Sequence, residues 1–274
     1  VYGFLQARGG FALESRRHSF YLNDGNYSED PAVAKAPTEI EADVLTIGAS
    51  DLDVFAGLNG GTADAKGFAL SGVDLGLALI TEVKPEGSTG AAREFVTLNA
   101  TANSVGFVGI SGLNVKADNV SVEINQGVKG TGGALDTVID YSIEQYEVKS
   151  GTSSTVTLDL DGSRGEMIRV AGDMSVDLFG FMSVSGSLAF EKSSGEVTLA
   201  PVDGVAETVN VDMMTVGGTG LSAFVGANGS RDTAGNLSSD ALGLSLSDTE
   251  FGLALMTDKT DKARSWTSLE ATAT

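Results

Sequence analysis

An uninterrupted two-residue alternation between residues 166 and 191 restricts the fold of this chain more than any other sequence feature. Every even-numbered position from Ile168 to Phe190 is apolar or glycine, whereas aspartate and serine are common at the odd-numbered positions. A period of two is the pattern of a β-strand with one apolar face. The sequence therefore predicts a single strand over residues 168–190, which would be roughly 75 Å long at about 3.3 Å per residue.

Composition favours a folded, all-β protein. Of the 274 residues, 42% are hydrophobic, and 36 glycines accompany only 4 prolines. Such a composition supports a core and many tight turns. No segment has a convincing helical pattern; residues 132–148 come closest, and there Ile139, Tyr141 and Ile143 also alternate with polar residues. We therefore expect strands throughout the chain, with a short helix at 132–148 as the lesser alternative.

The sequence contains about one and a half copies of a long repeat. Four blocks of the first half recur in the same order in the second half, at offsets of about 170 to 177 residues. Self-similarity of this kind indicates a repeat architecture. We predict a first copy over residues 1–183 and a partial second copy over residues 184–274, continuous with the first through a shared sheet. The matching blocks are 11–14 with 188–191, 43–60 with 212–229, 74–81 with 250–257, and 93–102 with 264–273.

The spacing between the copies changes at three polar segments, which identifies surface turns. Residues 23–31, 59–67 and 84–90 carry the Asp-Gly, Asn-Gly or Pro-x-Gly signals of chain reversals. Two architectures fit this spacing. One is an elongated meander of very long antiparallel strands, arranged as a sandwich or a tube, and the other is a β-solenoid with corner turns. The continuous alternation favours the meander, because corner turns would break it.

Two further patterns predict local structure. The polar segment 191–196 follows the alternating run and is interpreted as a hairpin loop. Residues 67–81 have apolar side chains at both parities. This strand is therefore expected to be buried on both faces or to line an apolar groove.

A weak calcium motif is present at residues 157–166. Asp159, Asp161 and Glu166 flank a glycine in a short turn, and calcium prefers several hard oxygen ligands held by a sharply turning loop. The spacing of a complete EF-hand loop is not met, so solvated turn carboxylates are the alternative interpretation. The acid-rich segment 22–30 is a second candidate loop, without a defined spacing.

The charge balance excludes several partners. A formal net charge of −20 and a pI near 4.2 would repel a nucleic-acid backbone or an anionic membrane surface, whereas divalent cations would be attracted. The chain has no cysteine, which excludes disulfides, thiolate metal sites and cysteine nucleophiles. No apolar run reaches the roughly 18 residues that a membrane-spanning helix needs, so no transmembrane segment is expected.

No catalytic constellation is evident, and the sequence predicts neither an enzyme nor a bound organic cofactor. His18 is the only histidine, and no nucleophile elbow accompanies it. The glycines at 214–223 resemble part of a dinucleotide-binding loop, but the matching stretch 45–54 lacks them and carries two aspartates. A turn or a glycine bulge is the preferred interpretation of 214–223.

Four segments give the chain the character of a known class of proteins. They read VSGSLAFEKSSGEVTL, VDMMTVGGTGLSAFVGANG, ALGLSLSDTEFGLALMTD and VGISGLNVKADNVSVEIN. Their succession of glycine, phenylalanine and alternating apolar residues resembles the long tandem β-repeats of giant bacterial secreted or cell-surface proteins. The resemblance implies an adhesive, coat-forming or filamentous function and no catalytic residue.

We therefore expect a structural module of an extended extracellular fibre, surface layer or adhesin array, located outside the cell or on a bacterial surface. Its partners would be neighbouring repeats or identical subunits, stacked end to end so that exposed apolar ends are buried. Calcium would screen the acidic surface. Two alternatives are a hydrophobic groove that binds lipid, and an adhesin that binds glycans or cell surfaces through loops such as 23–38 and 127–137.

Overall fold

The computed structural model shows a protein built almost entirely from long β-strands, and it describes residues 4–24, 37–129, 137–202, 205–229 and 236–273. One turn of 3-10 helix is the only helical element in these ranges. In chain order the strands are β1 (Leu5–Tyr21), β2 (Glu39–Leu58), β3 (Lys66–Glu82), β4 (Glu94–Val108), β5 (Leu113–Lys129), β6 (Tyr146–Lys149), β7 (Thr155–Leu158), β8 (Met167–Leu178), β9 (Met182–Val202), β10 (Val205–Ala227), β11 (Leu242–Asp258) and β12 (Ser265–Thr272).

Ten of the strands form one antiparallel sheet, in the order β1-β2-β3-β4-β5-β8-β9-β10-β11-β12. The strands β6 and β7 form a separate hairpin. The all-β prediction and the meander of long antiparallel strands are thus confirmed. The predicted sandwich or tube is wrong, because the sheet is a single open layer. The alternative solenoid is also wrong, because sequential strands pair side by side as a meander.

The alternation at 168–190 belongs to two strands instead of one. β8 ends at Leu178, the chain reverses, and β9 begins at Met182. The turn residues Phe179 and Gly180 have φ values of 55° and 69°. Leu178 pairs with Met182, so the even-numbered residues of both strands lie opposite each other and share one face. The predicted single strand is therefore wrong, although its parity is real.

The predicted turns agree with the structure where it describes them. Residues 59–65 connect β2 to β3, and residues 83–93 connect β3 to β4. Most of the first predicted turn lies within 25–36, outside the described residues. The loop predicted at 191–196 is wrong, because these residues lie inside β9 and pair with β10. Residues 137–148, from the segment considered for a short helix, contain an isolated bridge and part of β6.

The first four and the last four strands of the sheet are paired in equivalent registers. The residue pairs of β1–β4 recur in β9–β12 when each strand is shifted by the offset of its matching sequence block. We call these two parts the first and the second meander. Their equivalence supports the duplication, whose copy boundaries stay a prediction. Equivalent pairs are Phe11–Ala49 with Leu188–Gly218, Thr46–Ala78 with Thr215–Ala254, and Ala78–Thr97 with Ala254–Ser268.

The irregularities of the two meanders also coincide. Register shifts interrupt the pairing of β1 with β2 and of β9 with β10 at matching places. Gly220 has a φ of 58° beside such a shift, so the glycine bulge predicted for 214–223 is confirmed. The matching residues of positive φ are Gly9 with Gly186, Asp51 with Gly220, Asn59 with Asn228, and Gly72 with Asp248.

Residues 137–160 form a cap segment over one face of the first meander. Its β6–β7 hairpin contacts β1 to β4, and we call the side it covers the capped face of the sheet. Tyr141, Ile80 and Phe95 are at most 1% exposed in the core between the cap segment and the sheet. Residues 67–81 have apolar side chains on both faces of β3. The cap segment buries one of these faces, and the other face is not covered by any described strand.

The opposite side of the sheet is apolar across all ten strands. Val170 and Val176 of β8 lie six residues apart, so the cross-strand rows through them share one face, which we call the apolar face. No described strand packs against it, and Val170 is 38% exposed. The row through Val170 consists of Phe11, Ala49, Leu75, Ala100, Val122, Val170, Phe190, Val216, Leu253 and Leu269.

An ion pair closes the connection between β3 and β4, and it makes stability depend on pH. Arg93 donates to both carboxylate oxygens of Glu82, at 2.7 and 2.9 Å, and the Glu82 side chain is only 9% exposed. These hydrogen bonds lower the pKa of Glu82 to about 2. Because the folded-state pKa is depressed, the stabilisation is present above about pH 4.5 and is lost as the pH falls towards 2.

We expect the Glu82→Gln variant to lose most of this acid sensitivity. Between pH 5 and pH 2 the unchanged protein should lose roughly 2 to 3 kcal/mol more unfolding free energy than the variant. Urea unfolding at a series of pH values measures the difference. The exposed Glu207, paired with Arg264 at 2.9 Å, provides the control, because Glu207→Gln should alter the profile little. Equal profiles for Glu82→Gln and the unchanged protein would contradict the assignment.

Candidate functional site

Both outer edges of the sheet lack a partner strand in the described residues. β1 pairs only with β2, and β12 pairs only with β11. In the second meander β9 is the equivalent of β1, and its corresponding edge pairs with β8. In the first meander β4 is the equivalent of β12, and its corresponding edge pairs with β5. A free edge exposes backbone N–H and C=O groups that can pair with another strand. Both free edges thus have paired counterparts inside the same sheet.

The two edge strands lack residues that often prevent edge pairing. Neither β1 nor β12 contains proline or lysine, and the central run 9–13 of β1 is uncharged. The arginines of β1 lie on either side of this run. Large apolar side chains are exposed along both strands: Phe11 and Leu13 in β1 are 66% and 64% exposed, and Leu269 in β12 is 66% exposed. The edges therefore combine free backbone groups with apolar surface.

One carboxylate beside the centre of the sheet, that of Asp173, lies opposite the apolar face. Asp173 accepts hydrogen bonds from Ser187 Oγ at 2.5 Å and from Asn119 Nδ2 at 2.8 Å. These bonds hold the pKa of Asp173 below its usual range, so the carboxylate stays charged. Asp173 has odd parity in β8, whereas Val170 and Val176 have even parity, and the two sets project to opposite sides. The negative charge of Asp173 and the apolar face are thereby on opposite sides of the sheet.

The β6–β7 hairpin sits on a floor that two glycines keep open. A Cβ atom placed on Gly48 would lie 2.0 Å from the Lys149 carbonyl oxygen, and one placed on Gly76 would lie 3.1 Å from Val156 Cβ. Backbone and side chains of the hairpin therefore approach the sheet more closely than any larger residue would allow. The sequence interpretation missed this role, although both glycines recur in the second copy as Gly217 and Gly252.

Polar contacts fix the cap segment to the first meander. Ser50 Oγ donates to the Ser150 carbonyl at 3.1 Å, and Asn99 Nδ2 donates to the Thr157 carbonyl at 3.1 Å. Arg16 Nε donates to the Tyr146 hydroxyl at 2.8 Å, with the guanidinium 4.7 Å from the ring centroid. Partial burial raises the pKa of Tyr146. These contacts, together with the apolar core, specify one position of the cap segment.

The predicted calcium ligands have other positions and partners. Asp161 accepts a hydrogen bond from the Ser163 N–H at 2.8 Å and caps the 3-10 turn Gly162–Arg164. Glu166 accepts from the Gly127 N–H at 3.1 Å, and Asp159 is exposed. Among the described residues no group of three acidic or histidine side chains could hold a metal ion. The calcium site stays a prediction to which this geometry adds no support.

The remaining candidates are only partly covered by the described residues. His18 packs against the rings of Phe20 and Tyr146, with centroid distances of 4.9 and 5.0 Å, which places it at the border of the core. Of the loops considered for glycan binding, 25–36 and 130–136 lie outside the described residues. Their part in recognition stays a prediction.

No protein-family model, curated protein or solved structure matches the chain. Within the described ranges there is no helix of the length and hydropathy that crossing a membrane requires. The arguments for function therefore rest on the sheet edges, the apolar face and the capped face.

Proposed function

We propose that the chain is a structural module of an extended extracellular array, in which sheets of neighbouring copies join edge to edge. The observation that carries the proposal is the equivalence of each free edge to an edge that is paired within the sheet. Because ten strands alternate in direction, β12 runs opposite to β1. A copy placed beside β12 through its own β1 would therefore continue the antiparallel sheet.

The apolar row suggests the register of such a junction. Leu269 ends the row in β12, and Phe11 begins it in β1. Placing these residues opposite each other would continue the row into the next copy and bury both exposed ends. The net charge of −20 opposes the approach of copies. Salt or calcium should therefore promote assembly by screening, whether or not a specific calcium site exists.

Engineered cysteines test the junction cleanly, because the chain has no cysteine of its own. In the proposed register Ala12 of one copy lies opposite Ser268 of the next. We expect the double variant Ala12→Cys with Ser268→Cys to form a ladder of disulfide-linked polymers on mild oxidation, with more than ten times the yield of a variant out of register. Non-reducing gels measure the yield, and electron microscopy shows whether the products are filaments.

The matched control combines Ser268→Cys with Ser19→Cys, seven residues further along β1. Equal yields from both pairs would show random collision and contradict the register. Strictly monomeric behaviour of the unchanged protein, with and without calcium, together with no ladder from the 12/268 pair, would reject edge pairing altogether.

The apolar face supports a second candidate, a module that binds a hydrophobic ligand such as lipid. Phe68 and Leu246, which belong to the cross-strand row through Val176, are 56% and 47% exposed. An exposed apolar surface of this extent commonly marks an interaction site. Lipid recovered by solvent extraction of the purified monomer and identified by mass spectrometry would favour this function over the array.

A further inference from the structure

The second meander repeats part of the surface on which the cap segment sits, at a place that no described strand covers. A groove of about 640 Å³ lies on the capped face across β9 to β12. Its lining includes the equivalents of eight residues of the first meander at or beside the cap segment. The pairs, first meander first, are Glu14 and Glu191, Thr46 and Thr215, Gly48 and Gly217, Ser50 and Thr219, Gly76 and Gly252, Ala78 and Ala254, Thr97 and Ser268, and Asn99 and Glu270.

The two floor glycines are present in this groove, and no described hairpin packs on them. A Cβ atom on Gly252 would meet no described atom within 4 Å, and one on Gly217 would meet only the Phe251 carbonyl oxygen, at 3.9 Å. Glycine weakens a strand interior, so it needs a reason to be there. In the first meander the reason is the close approach of the hairpin to Gly48 and Gly76. The second meander has the same glycines and no described hairpin above them.

We infer that this groove binds a β-hairpin of the β6–β7 type, supplied by another copy of the repeat. The groove lies on the capped face and is distinct from the free edges, so the inference does not depend on edge pairing. A hairpin held there would bring small apolar side chains, as Val148 and Val156 are brought, onto Gly252. Thr219 keeps the hydroxyl with which Ser50 donates to the hairpin turn. Glu191 is the equivalent of Glu14, which lies near Lys149, and its carboxylate also accepts a hydrogen bond from Arg164 at 2.5 Å.

Two differences between the meanders define the preferred ligand more closely. Asn99 donates to the Thr157 carbonyl, whereas a Glu270 carboxylate can only accept. Ser193 replaces Arg16, which contacts Tyr146 in the first meander. The preferred hairpin should therefore present a donor opposite Glu270, and it does not need a tyrosine at the position of Tyr146. The chain's own hairpin sequence should bind, but with less than optimal affinity.

A peptide with the sequence of residues 144–160, cyclised to hold the hairpin and labelled with fluorescein, tests the site on the full chain. Fluorescence anisotropy should show saturable binding with one peptide per chain. Gly252→Val should weaken binding at least tenfold, because the added side chain fills the floor. Glu270→Asn should strengthen binding severalfold, because it restores the donor that Asn99 supplies.

Gly195→Val is the matched control, since Gly195 lies in β9 outside the groove and its added Cβ would meet only Met213 Cε, at 4.0 Å. Binding that Gly252→Val leaves unchanged would place the peptide elsewhere and overturn the inference. The inference would also be overturned if the peptide did not bind the unchanged chain and the hairpin supplied within one chain, described next, left Trp266 unaffected.

The second measurement supplies the hairpin within one chain. Residues 103–165 are appended after Ala273, which places them as they follow β4 in the first meander. Trp266 is the equivalent of Phe95, which is 1% exposed beneath the cap segment. The fluorescence of Trp266, the only tryptophan, should shift to shorter wavelength, and Gly252→Val should abolish the shift. An unchanged emission spectrum would overturn the inference. Because the appended β5 would cover the β12 edge, as β5 covers β4 in the first meander, edge pairing is tested separately, by the disulfide ladder of the unextended chain.

Discussion

Gly48→Val should lower the unfolding free energy by about 3 kcal/mol or more, while the equivalent change Gly217→Val should cost less than about 1 kcal/mol. The first substitution forces a Cβ atom to within 2.0 Å of the Lys149 carbonyl oxygen and 2.8 Å of Ser150 Cα. Backbone atoms cannot yield as a flexible side chain can, so the hairpin must lift from the sheet. The valine at 217 meets an open groove, and strands tolerate valine well.

Urea unfolding of both variants measures the difference, and the two substitutions are chemically identical at equivalent positions of the two meanders. Partial loss of the hairpin should also leave the sheet folded, so amide exchange of 146–158 should increase more than exchange in β9 to β12. Equal destabilisation by both variants would contradict the role of Gly48 as the floor of the hairpin. It would also remove the argument that Gly217 and Gly252 keep a groove open.

The sheet could be predicted from the sequence because its physical cause is local. Period two in the side chains and polar glycine-containing turns are both read within a few residues, and together they indicated long antiparallel strands. The position of the turn at 179–181 could not be read in this way. When a turn has an odd number of residues, the two paired residues on either side of it have the same parity, as Leu178 and Met182 do. The apolar pattern is then identical for one long strand and for a hairpin.

The residue types at this reversal are also weak turn signals. Phe179 has a φ of 55°, a conformation that usually selects asparagine, aspartate or glycine. The turn is supported by a hydrogen bond from the Gly180 N–H to Asp177 Oδ1 at 2.9 Å. In the sequence, Asp177 is one of several polar residues at the odd-numbered positions of the alternation. Asp177 therefore marks the turn, but in the sequence it does not differ from the other polar residues of the alternation.

The cap segment and its floor depend on contacts between distant residues, which a single sequence does not display. Gly48 and Lys149 are about a hundred residues apart, and nothing near either residue predicts the contact. The hydrogen bond from the Gly127 N–H to Glu166 is likewise a contact between residues distant in the sequence, and the calcium motif gave no sign of it. Recurrence of Gly48 and Gly76 in the second copy was the available signal. It identifies positions under constraint without identifying what packs on them.

Tyr141 anchors the cap segment, and Tyr141→Ala should cost about 4 kcal/mol of unfolding free energy. The side chain is fully buried, and its hydroxyl donates to Thr97 Oγ1 at 2.9 Å. Thr97 lies within 3.3 Å of Asn125 Oδ1, and Asn125 Nδ2 donates to the Ile139 carbonyl at 2.8 Å. The aromatic ring fills the core, while the hydroxyl joins a buried polar chain that links β4, β5 and the cap segment.

Tyr141→Phe separates these two contributions. The ring is retained and Thr97 keeps Asn125 as a partner, so the variant should lose only about 1 kcal/mol at neutral pH. Burial raises the pKa of Tyr141, and stability contributed by the neutral phenol is therefore present below the unfolded pKa of about 10 and lost above it. The unchanged protein should weaken more steeply above pH 10 than Tyr141→Phe does. Parallel urea-unfolding profiles between pH 9 and pH 11 would show that the phenol ionises freely, which a hydroxyl enclosed beneath the cap segment cannot do.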